Sequence, residues 1–206
     1  MSITKEIEDV YDKIANLYDE VLWSDMPYNN EMDEFVTYLK GKDVLDIGCA
    51  MGSFTKYISD KGYNVDGIDI SSNLIDIARR KVPEVNFQVM DMLDLKIDKL
   101  YDGIMFINST IHIEKKNMLD LFKNVSKLLK DDGIIFIILL EGDGEMYVEE
   151  PLDPSIKEFV NFYSKGEIEE VFNGAGLSII DKSSILDEAD TELGNEQLVY
   201  YLRKKK

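Results

Sequence analysis

The sequence contains one cysteine, Cys49, in 206 residues, which excludes an intrachain disulfide. It has no apolar run of about 18 residues, the length from which a helix begins to span a bilayer. Its first residues, Met1–Ser2–Ile3–Thr4–Lys5–Glu6, lack the charged and apolar segments of a secretion signal, so the cytoplasm is the expected compartment. Positive charge is scarce as well. Against 41 Asp and Glu there are 23 Lys and Arg, a formal net charge of −18. A field of that sign opposes approach to phosphate backbones and disfavours nucleic acid as a partner. A local basic patch is not excluded, and one such run, Arg203–Lys204–Lys205–Lys206, is read as solvating the end of the last strand. No compact set of His, Cys and carboxylates has metal-ligand spacing, so no metal is assigned. There is no internal repeat and no disordered linker.

What is present suits one core. The hydrophobic fraction is 45%, ordinary for a globular domain, and the length favours a single domain over residues 1–206. Ile3, Ile7, Val10, Ile14, Leu17 and Tyr18 make an amphipathic helical stripe, broken by Trp23–Ser24–Asp25–Met26–Pro27–Tyr28. Met32, Phe35, Val36 and Leu39 make a second stripe, which Gly41 is expected to stop in a left-handed conformation. Residues 1–40 thus read as a helical cap. From Asp43 onward, apolar runs at 43–47, 64–68, 85–89, 101–107 and 133–140 alternate with helical patterns near 53–61, 72–81 and 115–130. Near-continuous apolar strands separated by helices predict a doubly wound, mostly parallel sheet with helices on both faces.

Residues 141–164 show no clear period and contain Gly142, Gly144, Pro151 and Pro154, which predicts a long lid or substrate loop. Ser164 and Glu167 form a capping box for a helix from Lys165 that ends at Gly174–Ala175–Gly176. Two strands, about 177–186 and 196–203, with Gly194–Asn195 before the second, predict a hairpin with one strand antiparallel to the rest.

The most informative segment is Val44–Leu45–Asp46–Ile47–Gly48–Cys49–Ala50–Met51–Gly52, an apolar strand running into a small-residue turn and then helix-compatible sequence. A second strand ends at Asp69. Small residues let backbone approach a ligand, and an acid at the next strand tip can accept ribose hydroxyls. A nicotinamide or flavin site would want Gly-x-Gly-x-x-Gly, but the register from Gly48 gives Ala50 and Ser53. A nucleoside ligand without a pyrophosphate fits better.

At these residues the chain resembles the class I S-adenosylmethionine-dependent methyltransferases, whose first strand and loop read roughly Val-Leu-Asp-Ile-Gly-Cys-Gly-x-Gly. The resemblance extends through Asp69, Met90–Asp91–Met92, Tyr101–Asp102–Gly103–Ile104–Met105–Phe106, Leu128–Leu129–Lys130–Asp131–Asp132–Gly133 and Tyr163–Ser164 with Ala175–Gly176–Leu177. Ala50 replaces the family's middle glycine, which is expected to be tolerated at negative φ. Asp131–Asp132 stands where the family has Pro-Gly. The resemblance implies a Rossmann-like, seven-stranded sheet with an antiparallel C-terminal strand, and S-adenosylmethionine as cofactor, leaving S-adenosylhomocysteine. It places Gly48, Cys49 and Gly52 beside the methionine part, and Asp46 as the cofactor-site residue that orients this loop or meets the amino-acid moiety, often through water. Asp69 becomes the ribose carboxylate, with Ile70 on adenine, Asp91 the adenine amino-group acceptor and Met92 a flank of the ring. Asn108 would lie near the methionine amine, and Tyr11 and Tyr18 on a helix that closes over the site. Read as residues alone, Asp46 and Asp69 could simply accept turn amides, and Tyr11 could be core packing.

Methyl transfer from a sulfonium needs alignment and desolvation of the acceptor, and a hydroxyl or ammonium acceptor must also lose a proton. His112, the only histidine, follows strand four and suits a general base, with Glu114 as its orienter; a structural histidine is the alternative. Residues 108–111 read Asn-Ser-Thr-Ile, not the Asn-Pro-Pro-Tyr pattern of base-amino methyltransferases, and the Pro-Cys of cytosine C5 enzymes is missing. With the acidic charge, this points to transfer onto O or N of a small molecule by a monomer or homodimer. An RNA- or protein-modifying enzyme, or a non-catalytic cofactor-binding protein, remains open at this stage.

Overall fold

The computed structural model describes residues 2–186 and 196–205; the Gly194–Asn195 turn lies outside them. Ser2 accepts the Lys5 amide and starts α1, Ile3–Leu22. The helix buries Ile7, Val10, Ile14 and Ala15, whereas Leu17, expected in its stripe, is 38% exposed. α2, Asn29–Tyr38, buries Met32 and Phe35 and ends where Leu39 turns extended. Gly41 is not left-handed as expected. It is small because a Cβ there would come within 2.4 Å of the Asp102 carboxyl group.

The alternating unit follows: β1 Asp43–Ile47, α3 Ser53–Asp60, β2 Asn64–Asp69, α4 Ser72–Lys81, β3 Asn86–Val89 and β4 Tyr101–Ile107. A single 3-10 turn, Thr110–His112, leads to α5, Lys115–Leu128, and β5, Leu129–Leu140. β5 begins earlier than its apolar run because Leu129 pairs with Tyr101 ahead of a bulge. The chain continues through β6 Glu145–Glu149, β7 Lys157–Asn161, α6 Lys165–Gly174, β8 Leu177–Leu186 and β9 Glu196–Lys204.

Seven strands form the main sheet in the order β3-β2-β1-β4-β5-β9-β8. β9 runs antiparallel to both β5 and β8, and the other pairs are parallel. Alternate side chains divide the sheet between two apolar layers. Leu45, Ile47, Ile104, Phe106, Ile135 and Ile137 meet Met118, Phe122 and Phe172 of α5 and α6. Val44, Met105, Phe136 and Ile138 meet Met32, Phe35 and Ile58 of α2 and α3. Burial on both faces is why these strands read as near-continuous apolar runs. The fold is therefore the expected Rossmann-like, doubly wound layer. The chain steps outward from β1 to β3 and then returns to β4 on the other side. That switch leaves a crevice at the carboxyl ends of β1 and β4, where open α/β sheets take ligands.

The segment 141–164 is not the irregular loop expected. β6 and β7 pair antiparallel as a separate hairpin, with Met146 opposite Val160 and Glu149 opposite Lys157. Its period was hidden because β7 is buried while carrying Glu158 and Asn161 among Phe159 and Val160. Asn161 explains its own burial. Its Nδ2 donates to the Thr110 carbonyl at 3.0 Å and to the Ile113 carbonyl, tying the hairpin to the 3-10 turn. The capping box at α6 is half formed: Ser164 accepts the Glu167 amide, while the Glu167 carboxylate pairs with Lys115 at 2.7 Å. No described helix is long and apolar enough to cross a membrane.

Replacing Asn161 by Ala removes both donors to buried carbonyls. Urea denaturation should show a loss of about 1–3 kcal/mol, the scale of stranding a buried polar group. An unchanged midpoint would mean that the hairpin is held by its apolar contacts alone.

Candidate functional site

The crevice opens into a cavity of about 410 Å³. Its floor is the turn after β1, and that turn is built from positive-φ residues: Gly48 at 77°, Ala50 at 48° and Gly52 at 86°. The amides of Gly48 and Cys49 both donate to the Ile68 carbonyl, at 2.8 and 3.0 Å. Gly48 has no alternative, because a Cβ on it would sit 2.2 Å from the Ser109 Cβ. Ala50 departs from the expected negative φ. It is held in the left-handed region by its amide, which donates to Asp69 Oδ2 at 2.8 Å.

Asp69, at the tip of β2, accepts the Ser71 amide on its other oxygen at 2.9 Å. Burial pushes its pKa up, opposed by these amides. Asp69 clamps the turn and also lines the cavity. Asp46 sits elsewhere. It is buried behind the turn, accepts from the Thr55 hydroxyl at 2.5 Å, and does not line the cavity. Burial raises its pKa to about 7, with Thr55 working against the rise and Asp69 adding to it. Gly52 caps α3 and also lies off the wall.

The remaining sequence-picked residues converge. Cys49, Ile70, Asp91, Met92, Asn108, Tyr18 and His112 all line the cavity with Gly48 and Asp69. Asp91 accepts the Leu93 amide at 2.8 Å through Oδ1. Burial raises the Cys49 thiol well above its ordinary pKa, which disfavours the thiolate a nucleophile would need. Asn108 has a φ of 50°, and its Nδ2 donates to the Tyr28 hydroxyl at 2.6 Å. Its Oδ1 is buried and has no partner among the described residues. An orphaned buried acceptor on the wall suits a ligand that brings an N–H donor.

The opposite end is made by α1, the hairpin and the 3-10 turn. His112 is 8% exposed. Its Nδ1 lies 2.8 Å from the Phe159 carbonyl and its Nε2 2.8 Å from the Tyr11 hydroxyl. A carbonyl can only accept, so the proton of the neutral ring is on Nδ1 and the Nε2 lone pair faces Tyr11. Burial lowers the imidazole pKa to about 4, opposed by the Phe159 carbonyl. The Tyr11 hydroxyl also lies 3.3 Å from Glu158 Oε2. Glu114, expected to orient His112, instead meets Lys116 at 2.7 Å. Sequence reasoning missed Glu158. Its only signal was an acid abutting the apolar pair Phe159–Val160. Tyr11, expected on the helix that closes over the site with core packing as its alternative, lines the cavity, as do Tyr28, Phe54 and Pro151. Among the described residues no three His, Cys, Asp or Glu side chains gather as a metal site.

Comparisons with known proteins bear on this geometry. A family model described as a methyltransferase domain matches residues 22–182. A Bacillus subtilis protein described as a candidate methyltransferase, YqeM, is 29% identical over 133 residues, covering 61% of this chain and 53% of that protein. The chain thus spans about half the length of that relative. The ubiquinone biosynthesis O-methyltransferase of Coxiella burnetii is 27% identical over 161 residues, covering 71% of this chain and 68% of that protein. Among solved structures, an S-adenosylmethionine-dependent methyltransferase from Clostridium acetobutylicum superposes with a TM-score of 0.74 at 19% identity, covering 96% of this chain and 100% of the other. The 1,6-didemethyltoxoflavin-N1-methyltransferase of Burkholderia thailandensis gives 0.76 at 18% identity, covering 98% and 88%. At those identities the structural likeness is one of fold.

The buried Asp46 generates a pH prediction. Its folded pKa is raised, so the native state holds a proton that the unfolded chain releases near pH 4. Its contribution is therefore full below about pH 4 and lost as pH rises toward about 7. Asp46→Asn removes that loss. In urea denaturation the variant should gain on the wild type by about 2–4 kcal/mol between pH 4 and pH 8. A constant difference across that range would show that Asp46 titrates normally.

Proposed function

The chain belongs to the methyltransferase-domain family, and on that premise we propose that it transfers the methyl group of S-adenosylmethionine to an oxygen or nitrogen of a small molecule. The observation that carries the reading is one cavity with two chemically different ends. One end is the glycine turn, Asp69, Asp91 and the unpartnered Asn108 Oδ1; the other is Tyr11 and His112. Its volume of about 410 Å³ is that of a small-ligand pocket.

The residues present fit S-adenosylmethionine. The Asn108 Oδ1 would accept from the amine of the methionine part. Asp69 keeps lone pairs free beyond its two amides, and these suit ribose hydroxyls. Asp91, Met92 and Ile70 would flank the adenine. The bound cofactor supplies a methyl already activated on a cationic sulfur. The protein's task is then to align the acceptor, exclude water and take a proton. α1 and the hairpin lie over the acceptor end, outside the strand–helix repeat, where one fold gains its particular substrate. The net charge of −18 and the lack of base-methyltransferase motifs support a small acceptor over RNA. The names of the relatives, an O-methyltransferase and an N-methyltransferase of small molecules, support the same class.

Calorimetry should show binding of S-adenosylmethionine and S-adenosylhomocysteine and none of NAD; tight NAD binding alone would reject the reading. Asp69→Asn removes the charge and also sets an NH2 group against one of the two turn amides, so it should weaken cofactor binding by at least about 1.5–3 kcal/mol, the scale of a charge-assisted hydrogen bond.

Acceptor class is tested by transfer from methyl-labelled cofactor to a metabolite pool and, separately, to bulk RNA. Label in the metabolites is expected, and label in RNA alone would overturn the substrate class. With that acceptor, His112→Ala should cut turnover by about 10²–10⁴ if the imidazole takes the proton. A variant as fast as the wild type would reduce His112 to part of the wall.

A further inference from the structure

His112 alone is an incomplete base, because its one free lone pair already faces the Tyr11 hydroxyl at 2.8 Å. That hydroxyl has a single proton and two neighbours able to accept it, His112 Nε2 and Glu158 Oε2 at 3.3 Å. The two acceptors are 3.8 Å apart. We propose that Glu158, acting through the Tyr11 hydroxyl, decides whether His112 Nε2 is free to take the proton of the methyl acceptor. Glu158 is then a positioning residue. It rests on the methyl-transfer reading only for the identity of that acceptor.

The argument is a count of protons. When Glu158 is protonated it can donate to the Tyr11 oxygen, and the Tyr11 proton turns to Nε2, which is blocked. When Glu158 is ionised it is the stronger acceptor for a hydroxyl, since a charged partner roughly doubles a hydrogen bond. The Tyr11 proton turns to Glu158. The lone pairs of the Tyr11 oxygen and Nε2 then face and repel each other, and Nε2 is released to a donor that displaces the hydroxyl from the cavity side. An acceptor O–H or N–H can then break, its electron pair forming the new bond to the methyl carbon and its proton passing to Nε2. The pair of the broken S–C bond stays on sulfur.

The surroundings place this exchange near neutrality. Burial raises the Glu158 pKa to about 7, the charge of Glu150 adds to the rise, and Tyr11 opposes it. Glu150 is itself held by the Leu152 and Asp153 amides, at 2.8 and 2.7 Å. From α1, the other titratable group facing this cluster is Tyr18, edge-on to Tyr11 with ring centres 5.7 Å apart. Burial and the charge of Asp69 keep Tyr18 protonated. Lys13 of α1 pairs with Asp153 at 3.7 Å, and no cation figures among the groups acting on Glu158. The 3-10 turn contributes His112 alone, whose own pKa of about 4 leaves the ring neutral throughout the exchange.

Because His112 is the only histidine, its ring nitrogens give the only imidazole signals in long-range proton–nitrogen NMR of labelled protein. The measurement needs no methyl acceptor. Nδ1 should carry the proton at every pH from about 5.5 to 8.5, and the Nε2 resonance should move toward that of a free lone pair with an apparent pKa near 7. Glu158→Gln should hold Nε2 in the bonded position throughout, since a neutral amide competes poorly with imidazole for the Tyr11 proton. Tyr11→Phe, which leaves both acceptors in place, should hold it in the free position. An Nε2 resonance that is flat in the wild type, or that titrates normally in Glu158→Gln, overturns the proposal.

With an acceptor in hand, wild-type transfer should fall about tenfold per pH unit below about 7. Glu158→Gln should be most impaired at pH 8 and approach the wild type at pH 6, and Tyr11→Phe should lose the acid limb. A Glu158→Gln defect independent of pH would mean a merely structural role. Failure to find any acceptor would speak against methyl transfer itself, and the spectra would still decide the Glu158 switch.

Discussion

The site depends first on one carboxylate. Asp69 holds the Ala50 amide with one oxygen and the Ser71 amide with the other. It thereby joins the turn after β1 to the start of α4. Without it nothing shown here would keep Ala50 at a φ of 48°, a conformation that costs a non-glycine residue roughly 1 kcal/mol or more. The Ile68 carbonyl, shared by the Gly48 and Cys49 amides, completes the brace. A turn held at the Gly48, Cys49, Ala50 and Gly52 amides is stiffened, so the cavity floor is set before any ligand arrives. A preformed floor lowers the ordering cost of binding.

The other end of the cavity, which we assign to the methyl acceptor, is built by different means. It has no glycine turn and no strand tip. It is an assembly of α1, the 3-10 turn and β7, held by Asn161 on the Thr110 and Ile113 carbonyls and by His112 on the Phe159 carbonyl. The groups that hold it together are polar and buried, which is costly unless each finds a partner. Here Tyr11 partners His112 and Glu158, and Asn161 Nδ2 and His112 Nδ1 partner backbone carbonyls. The same arrangement that satisfies Tyr11, His112 and Glu158 leaves one proton among them to be placed, so packing and proton chemistry are a single problem at this end. The end at the glycine turn follows from the fold's topology, and the end at Tyr11 and His112 from segments added to it.

How legible each part was follows from the range of the interactions. The strands and helices from Asp43 to Leu140 could be read because their apolar periods are local and both sheet faces are covered. The strand-tip residues could be read because topology puts strand tips together. Gly41 was misread because its cause is Asp102, distant in sequence, and Leu17 because helical period says nothing of where a neighbour stops. Ala50 was misjudged because its φ is imposed by Asp69. Asp46 was expected to orient the turn or to meet the amino-acid moiety; it sits behind the turn, bonded to Thr55 and off the cavity wall. The β6–β7 hairpin was hidden because Glu158 and Asn161 are polar residues buried by tertiary partners.

By itself, then, the sequence determined the doubly wound fold, the position of the cavity floor and the family resemblance. Each of these rests on local periodicity or on a short motif whose geometry the chain carries with it. The tertiary structure alone decided which way Asp46 faces, that 141–164 is a hairpin, and that Tyr11, His112 and Glu158 meet. Those three residues come from a helix, a turn and a strand far apart in the chain. Their hydrogen bonds form only once the sheet and the cap have closed around them, so no spacing in the sequence could record them.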